Sequence, residues 1–394
     1  MNHWTQMVAI TGMNLRSVPH RLGTSSVIVI GIAGVVGVLV SILAMVGGIA
    51  QMMTSGGRGD RAIVVSTGAS YEVLSSLSRE AAVTIADAPG VKRGTDGGPL
   101  ASTEVLVVVR ATMRGTGGDG NLTLRGVGPA AFELRPEVKL VEGRMFRRAL
   151  RELIVGRTAK RQFQGLEVGS RISLRGSDWA VVGTFESRGD AQEAGMLTDA
   201  VTLQSAFRRD AFQSVAVQLE SANALATFQA ALAANPSLAV DVLRESDYYA
   251  EQSRSFTRIL SVLAYLIGGI MAVGAVFGAL NAMYCAVSVR RIEIATLRLL
   301  GFGAAAVVMS VLIEALLLAA LGGIAGSGIA WLAFNGHVVA TSAGGVSQLA
   351  VPLLVDWRVV GRGLLWACAI GLLGAGLPAI RATRAPLAAA LRGI

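Results

Sequence analysis

Hydrophobic and polar positions along the chain separate into long uncharged runs and one interval of mixed character. Leu22–Gly57 holds no charged residue and is most densely apolar from Val27 to Ala50. Ile259–Val289 is 31 residues without a charge, Leu299–Val355 is interrupted only by Glu314, and Gly363–Ile380 is 18 residues between Arg362 and Arg381. A helix crossing a bilayer needs about 20 mostly apolar residues. The pattern therefore predicts an α-helical membrane protein with four transmembrane helices, one followed by a large island and then three close together. The expected segments are a cytoplasmic or interfacial helix over 1–22, helix 1 over 23–50, the island over 51–257 and helix 2 with an outward stalk over 258–289. A cytoplasmic loop over 290–303, a shoulder and helix 3 over 304–334, a short outer loop over 335–358, helix 4 over 359–380 and a cytoplasmic tail over 381–394 complete the chain.

The first run begins behind Arg16 and Arg21 and exceeds the about 7–15 apolar residues of a signal peptide, so it reads as a retained span. Before it, Trp4, Met7, Val8 and Leu15 fall near one helical face, a pattern suited to the membrane interface. The island mixes both periods and reads as an α+β domain. Strand-like runs are Ala62–Val65, Val105–Val109, Ala180–Phe185 and Val215–Leu219. Helix-like runs are Ser78–Ala88, stopped by Pro89-Gly90, and Ser221–Ala234, with Ser221 as N-cap and Asn235-Pro236 as stop. Gly94–Pro99 and Arg114–Gly120 read as glycine-rich loops.

Composition supports the membrane reading: 53% of the 394 residues are hydrophobic and only 15% charged, where a soluble chain carries about a quarter. The net charge of +9 suggests nucleic acid at first, but lysines are only Lys92, Lys139 and Lys160, and no lysine-rich run exists. Arginine placement reads instead as topology. With both termini inside, cytoplasmic segments hold Arg16, Arg21, Arg290, Arg291, Arg298, Arg381, Arg384 and Arg392 against Glu293 alone, whereas the island has 24 basic and 23 acidic residues. Positive charge collects in short cytoplasmic loops, so the island is expected outside.

No lysine follows a glycine, which excludes the phosphate-cradling Gly-x-x-x-x-Gly-Lys-[Ser/Thr] loop within these residues. No nucleophile elbow, metal motif or catalytic dyad stands out, and Cys285 and Cys368 both lie in apolar runs. Neither a catalytic residue nor a metal site is expected. Glu314 is the one carboxylate among the spans. Ala315–Phe334 is long enough to cross unaided, which sets Glu314 at the cytoplasmic edge of the span, as a coupling carboxylate or an interface anchor. Leu299–Ile313 then forms a shoulder bent at Gly301 and Gly303. The 31 residues of the second span measure about 46 Å against a core of about 30 Å, so tilt or a stalk through Tyr248–Arg258 takes up the excess. Gly274 with Gly278, and Gly322 with Gly326, are small-xxx-small pairs that permit close helix contact or dimerisation.

The segment Val289–Gly301, reading Val-Arg-Arg-Ile-Glu-Ile-Ala-Thr-Leu-Arg-Leu-Leu-Gly, strongly resembles the cytoplasmic coupling segment of FtsX-like, or MacB-like, ABC transporter permeases. Glu314-Ala-Leu-Leu-Leu with Gly322 and Gly326 matches the family's next helix, and Pro378-Ala-x-Arg-Ala-x-Arg384 with Ala390-Leu-Arg392 resembles its closing motif. The tail departs in one respect: Pro386 sits one place early and Ala389 replaces the family's glutamate. In the island, Glu142-Gly-Arg144, Glu152–Gly156, Gly165, Val168-Gly169 and Trp179–Gly183 follow the order of the family's extracytoplasmic core domain.

The resemblance implies a non-catalytic subunit in the bacterial inner membrane, dimeric with a second copy or a paralogue, driven by a separate ATPase that binds ATP and Mg. It places Arg290, Arg291, Glu293, Ile294, Leu297, Arg298, Leu300 and Gly301 on that ATPase. It further assigns helix packing to Glu314, Gly322 and Gly326, which the small-residue spacing extends to Gly274 and Gly278, and the tail to Arg381, Arg384, Leu391 and Arg392. The leading function it implies is export with a periplasmic adaptor and an outer-membrane channel. A lipoprotein-releasing permease of the LolC/LolE type and an FtsX-type subunit that switches a cell-wall hydrolase are the alternatives. No nucleic-acid partner is implied.

Overall fold

Each long uncharged run holds one long helix, the third also carrying a break at 300–303 and a strand hairpin after Phe334, and the mixed interval folds as a sheet dressed with short helices. The computed structural model describes residues 12, 22–114, 117–335, 338–343, 347–353 and 355–384. The expected interfacial helix ahead of Leu22 and the tail beyond Arg384 lie outside the described residues. In chain order the elements begin with α1 (Leu22–Ser55), β1 (Arg61–Ser66), α2 (Arg79–Ala86), β2 (Ala101–Thr112), β3 (Asp119–Val127) and α3 (Ala131–Leu134). Next come β4 (Lys139–Gly143), β5 (Glu152–Gly156), α4 (Arg157–Gln162), β6 (Arg171–Leu174), β7 (Ser177–Glu186), β8 (Met196–Asp199) and α5 (Ala200–Phe207). The chain continues through β9 (Ser214–Gln218), α6 (Leu225–Ala233), β10 (Val240–Arg244), α7 (Glu245–Val289) and α8 (Arg291–Leu299). It closes with α9 (Ala304–Phe334), the hairpin strands β11 (Val338–Ala343) and β12 (Ser347–Pro352), and α10 (Trp357–Arg384).

Two compact units result. One gathers Met1–Gly47, Arg258–His337 and Leu353–Ile394, and the other Gly48–Thr257 with Val338–Pro352. Among the described residues four helices are long and apolar enough to cross a membrane, and their apolar lengths lie mostly in the first unit. Small residues set their packing. The Gly322 backbone lies so close to α1 that a Cβ would stand 2.9 Å from the Val29 carbonyl, and Gly326 sits against Ala33 and Gly37. In α7 the alanines Ala264, Ala272, Ala279 and Ala282 are buried, while Ile259, Val262, Leu266, Ile270, Val273 and Phe277 stay exposed. This is the inverse of a soluble helix, as expected where the solvent is lipid.

In the second unit the strands order as β10-β1-β9-β2-β3-β8-β5-β7-β4, with β6 on β7. Most neighbours are antiparallel, whereas β3 with β8 and β5 with β7 run parallel. The long β2 carries the sheet across: Ala101–Glu104 pairs β9 and Val105–Thr112 pairs β3. β5 is buried at every position, as a central strand with both faces covered must be. The four strand-like runs of the sequence lie in β1, β2, β7 and β9. Ser78 caps α2 through its hydroxyl, which accepts from the Ala81 N–H at 3.1 Å.

Several boundaries differ from the sequence expectation. α1 runs on to Ser55, where the Thr54 and Ser55 hydroxyls bond back to the Ala50 and Met52 carbonyls and satisfy part of the helix end. Ser221 does not cap a helix. A 3-10 turn over Ala222–Ala224 intervenes, and the Ser221 backbone carbonyl, not its hydroxyl, takes the Ala224 N–H. The expected shoulder is no separate piece: the break is confined to residues 300–303, and helix is continuous from Ala304 because no proline or further turn interrupts it. The outer loop contains the hairpin β11–β12, which lies against β3 and α4 in the second unit.

Candidate functional site

The strongest motif of the sequence folds as α8, a nine-residue amphipathic helix between α7 and α9. Its ends follow from local chemistry. Glu293 lies in the first turn and Arg298 in the last, each the favoured sign for the helix dipole. At the C-terminus Gly301 takes φ +91°, its N–H bonds to Arg298 O, and the Phe302 N–H reaches back to Leu297 O. That pair of bonds closes the helix as a Schellman motif, which a β-carbon at Gly301 would strain.

Three contacts tie α8 down. Ile294 and Ala295 are buried, and Ile294 packs with Ala306 and Val307 of α9 and with Val287, Leu297, Phe302 and Ala382. Arg290, just before α8, donates from Nη1 to Glu314 Oε2 at 2.8 Å, with side chains 6% and 7% exposed. Arg298 Nη1 donates to the Thr383 carbonyl of α10 at 2.5 Å. An ion pair so buried is held by its geometry, because the desolvation cost is returned only while both partners stay aligned.

Sequence reasoning put Arg290 and Ile294 on a partner's surface, but the structure turns both inward. Burial against apolar α9 takes Ile294, and Glu314 takes the Arg290 charge. Leu297 and Arg298 are half-buried, whereas Arg291, Glu293, Leu300 and Gly301 are exposed. Ile292 and Leu299, which no motif singled out, are exposed beside them, so the outer side of α8 is an apolar ridge edged by charge. Arg381 stacks its guanidinium 5.5 Å from the Tyr284 ring centroid. The Arg384 backbone ends α10, and Leu391 and Arg392 lie outside the described residues. Gly322 and Gly326 serve packing against α1, while Gly274 and Gly278 face open space.

A second constellation was invisible as a motif. Glu72, Glu104, Glu137 and Glu245, scattered through the sequence, converge on Arg61, Arg125 and Arg135 in the second unit. Arg61 pairs with Glu137 at 2.6 Å and with Glu245 at 3.3 Å. Arg135 pairs with Glu104 and, at 3.2 Å, with Glu245, and Arg125 pairs with Glu104 and, at 2.7 Å, with Glu72. Glu245, the first residue of α7, is fully buried and also accepts the Arg58 N–H at 3.2 Å. Gly57 permits this closeness, since a Cβ there would stand 2.8 Å from Ser246 Cα. The segment leaving α1 and the first turn of α7 are thereby clasped to one sheet. Burial alone would raise the Glu104 carboxyl, but the Arg135 and Arg125 guanidiniums outweigh it and hold Glu104 below its usual range. The only sequence signal was polar residues abutting apolar strand runs, as at Arg61 and Glu104.

Among the described residues no group of three or more His, Cys, Asp or Glu side chains is placed to hold a metal ion. What these sites offer is ionic and steric: a fastened helix with an exposed ridge, and a buried clasp.

Residues 24–235 match the MacB-like periplasmic core domain, and residues 265–387 match the FtsX-like permease C-terminal domain. The chain is 27% identical over 195 residues to the uncharacterized ABC transporter permease YknZ of Bacillus subtilis (strain 168). That alignment takes in 48% of this chain and 47% of YknZ, so it spans about half the relative's length. Among solved structures, the extracellular domain of the noncanonic ABC-type transporter YknZ from Gram-positive bacteria aligns at 16% identity and TM-score 0.36, over 46% of this chain and 99% of that one. The periplasmic region of MacB from Actinobacillus actinomycetemcomitans aligns at 12% identity and TM-score 0.38, over 50% and 94%.

Proposed function

The chain belongs to the family of ABC transporter permeases with a MacB-like periplasmic core domain and an FtsX-like permease domain, and on that premise we propose that it passes ATP-driven motion from a separate cytoplasmic ATPase to its extracytoplasmic domain. The observation that carries this reading is α8: buried on one side, pinned through Arg290–Glu314 and Arg298–Thr383, and exposing Ile292, Leu299 and Leu300 on the other. A helix fixed to its bundle with an apolar outer ridge is a handle. A partner that grips it moves the helices to which it is fastened. Arg291 and Glu293 edge the ridge, where charge mainly governs encounter rate and choice of partner. At the other end of α7, the Glu245 clasp is where such motion would reach the sheet.

In this reading both termini and α8 are cytoplasmic, the ATPase holds ATP and Mg, and the permease works as a dimer with a second copy or a paralogue. The work is done on an extracytoplasmic substrate, exported with a periplasmic adaptor and an outer-membrane channel. Leu299→Asp with Leu300→Asp tests the handle. The double variant should insert normally and lose co-purification with the ATPase. Wild-type ATPase binding and coupling in that variant would refute the reading. Adaptor recovered with the wild-type complex supports export, whereas bound lipoprotein or a cell-wall hydrolase redirects the assignment.

A further inference from the structure

Three arginines of α8 and α10 border one space. Between the end of α7, α8 and the end of α10 lies a cavity of about 250 Å³. Arg291 and Arg298 of α8 and Arg381 of α10 line it, together with Tyr284, Ser288 and Pro378. No carboxylate lines it, and among the described residues no acidic side chain forms an ion pair with any of the three. Arg298 spends one nitrogen on the Thr383 carbonyl, and Arg381 rests on the Tyr284 ring. Both contacts orient a guanidinium without neutralising it. Three cations facing one small space repel each other, and an anion placed among them removes that repulsion and gains charge-assisted hydrogen bonds.

Position identifies the anion. Val289 and Ile380 are the last apolar residues of two spans, so the cavity sits at headgroup depth. Leu373, Leu377 and Ile380 lie exposed in successive turns of α10, leading away from the cavity along the spanning surface. An acyl chain fits that lane, and a free phosphate makes no use of it. We propose that this cavity binds the phosphate of an anionic phospholipid, and that the lipid bridges α8 to the end of α10, so that the set of α8 depends on membrane composition. The proposal needs no ATPase and stands apart from the reading above.

The test is native mass spectrometry of the full chain in detergent, titrated separately with dioleoylphosphatidylglycerol, dioleoylphosphatidylcholine and inorganic phosphate. Wild type should retain phosphatidylglycerol at least about tenfold more tightly than phosphatidylcholine. Arg291→Gln and Arg381→Gln should each weaken that retention about tenfold, the worth of one charge-assisted contact of about 1.4 kcal/mol. Arg254→Gln, remote in sequence and outside the cavity, should leave it unchanged. Where Arg381→Gln fails to fold, Arg291→Gln carries the test alone. Equal retention of the two lipids, unchanged preference in the cavity variants, or displacement of the lipid by millimolar phosphate would each overturn the proposal.

Discussion

Glu314→Leu probes how α8 is fastened. The pair it breaks is 2.8 Å long, with both side chains less than a tenth exposed. Removing the carboxylate leaves the Arg290 cation in a site that water scarcely reaches, and stripping one partner from a buried pair costs about 3–5 kcal/mol. For a domain of this size, about 2–4 °C per kcal/mol puts the melting midpoint roughly 6–20 °C lower. Arg290→Leu should cost a similar amount, because it strands the carboxylate. The double Leu variant removes both charges and fills the site with apolar volume, so it should recover most of the loss and end within about 1–2 kcal/mol of wild type. Thermal unfolding of the four proteins in one detergent, followed by tryptophan fluorescence, measures the cycle. An interaction energy of at least about 2 kcal/mol is expected. Single losses under about 1 kcal/mol, or a double variant as unstable as the sum of the singles, would refute the claim that this pair is a buried, mutually dependent contact.

The second unit carries two pH-linked expectations of opposite sign. The arginines hold Glu104 and Glu137 below their ordinary range, so their stabilisation is complete above about pH 4.5 and lost as acid protonates them at lower pH. Arg135→Met should cost about 3–5 kcal/mol at pH 7 and move the acid transition upward, readable by denaturant melts from pH 3 to 7. Asp190 behaves inversely: burial pushes its carboxyl up to about 6, against the Ser187 hydrogen bond, so its contribution is present below pH 4 and lost as pH rises through about 6. Asp190→Asn should therefore gain about 1–3 kcal/mol over wild type at pH 7.5 and little at pH 4, and an equal gain at both would refute the burial argument. Gly326→Leu and Gly322→Leu should disrupt the contact of α9 with α1 and abolish monodisperse protein, whereas Gly274→Leu and Gly278→Leu, facing open space, should fold. If the latter pair also separate a permease dimer in size-exclusion chromatography, that face is its contact.

Legibility in the sequence followed the range of the forces involved. Four membrane helices were readable because crossing a bilayer demands uncharged length, a local property. Strands β1, β2, β7 and β9 were readable because each carries a short run dominated by apolar, β-branched or aromatic residues. The N-cap at Ser78 succeeded and that at Ser221 did not, since a cap depends on which backbone N–H the first turn leaves free. The Val289–Gly301 motif was readable as a segment but its faces were not: Arg290, Ile294 and Arg298 differ from Ile292 and Leu299 in what α9 and α10 place beside them.

The sequence by itself determined that this chain is a membrane protein, where its long apolar helices lie, and that Val289–Gly301 is its most distinctive motif. Those properties depend on hydrophobic length, charge-free runs and short-range pattern. Only the tertiary structure decided that Arg290 belongs to Glu314, that three arginines from two helices share one cavity, and that Glu245 closes a clasp with residues up to 187 positions away. A charge in a sequence has a sign and no partner, and partners are assigned by packing, which brings distant residues within bonding range and removes the water that would otherwise screen them.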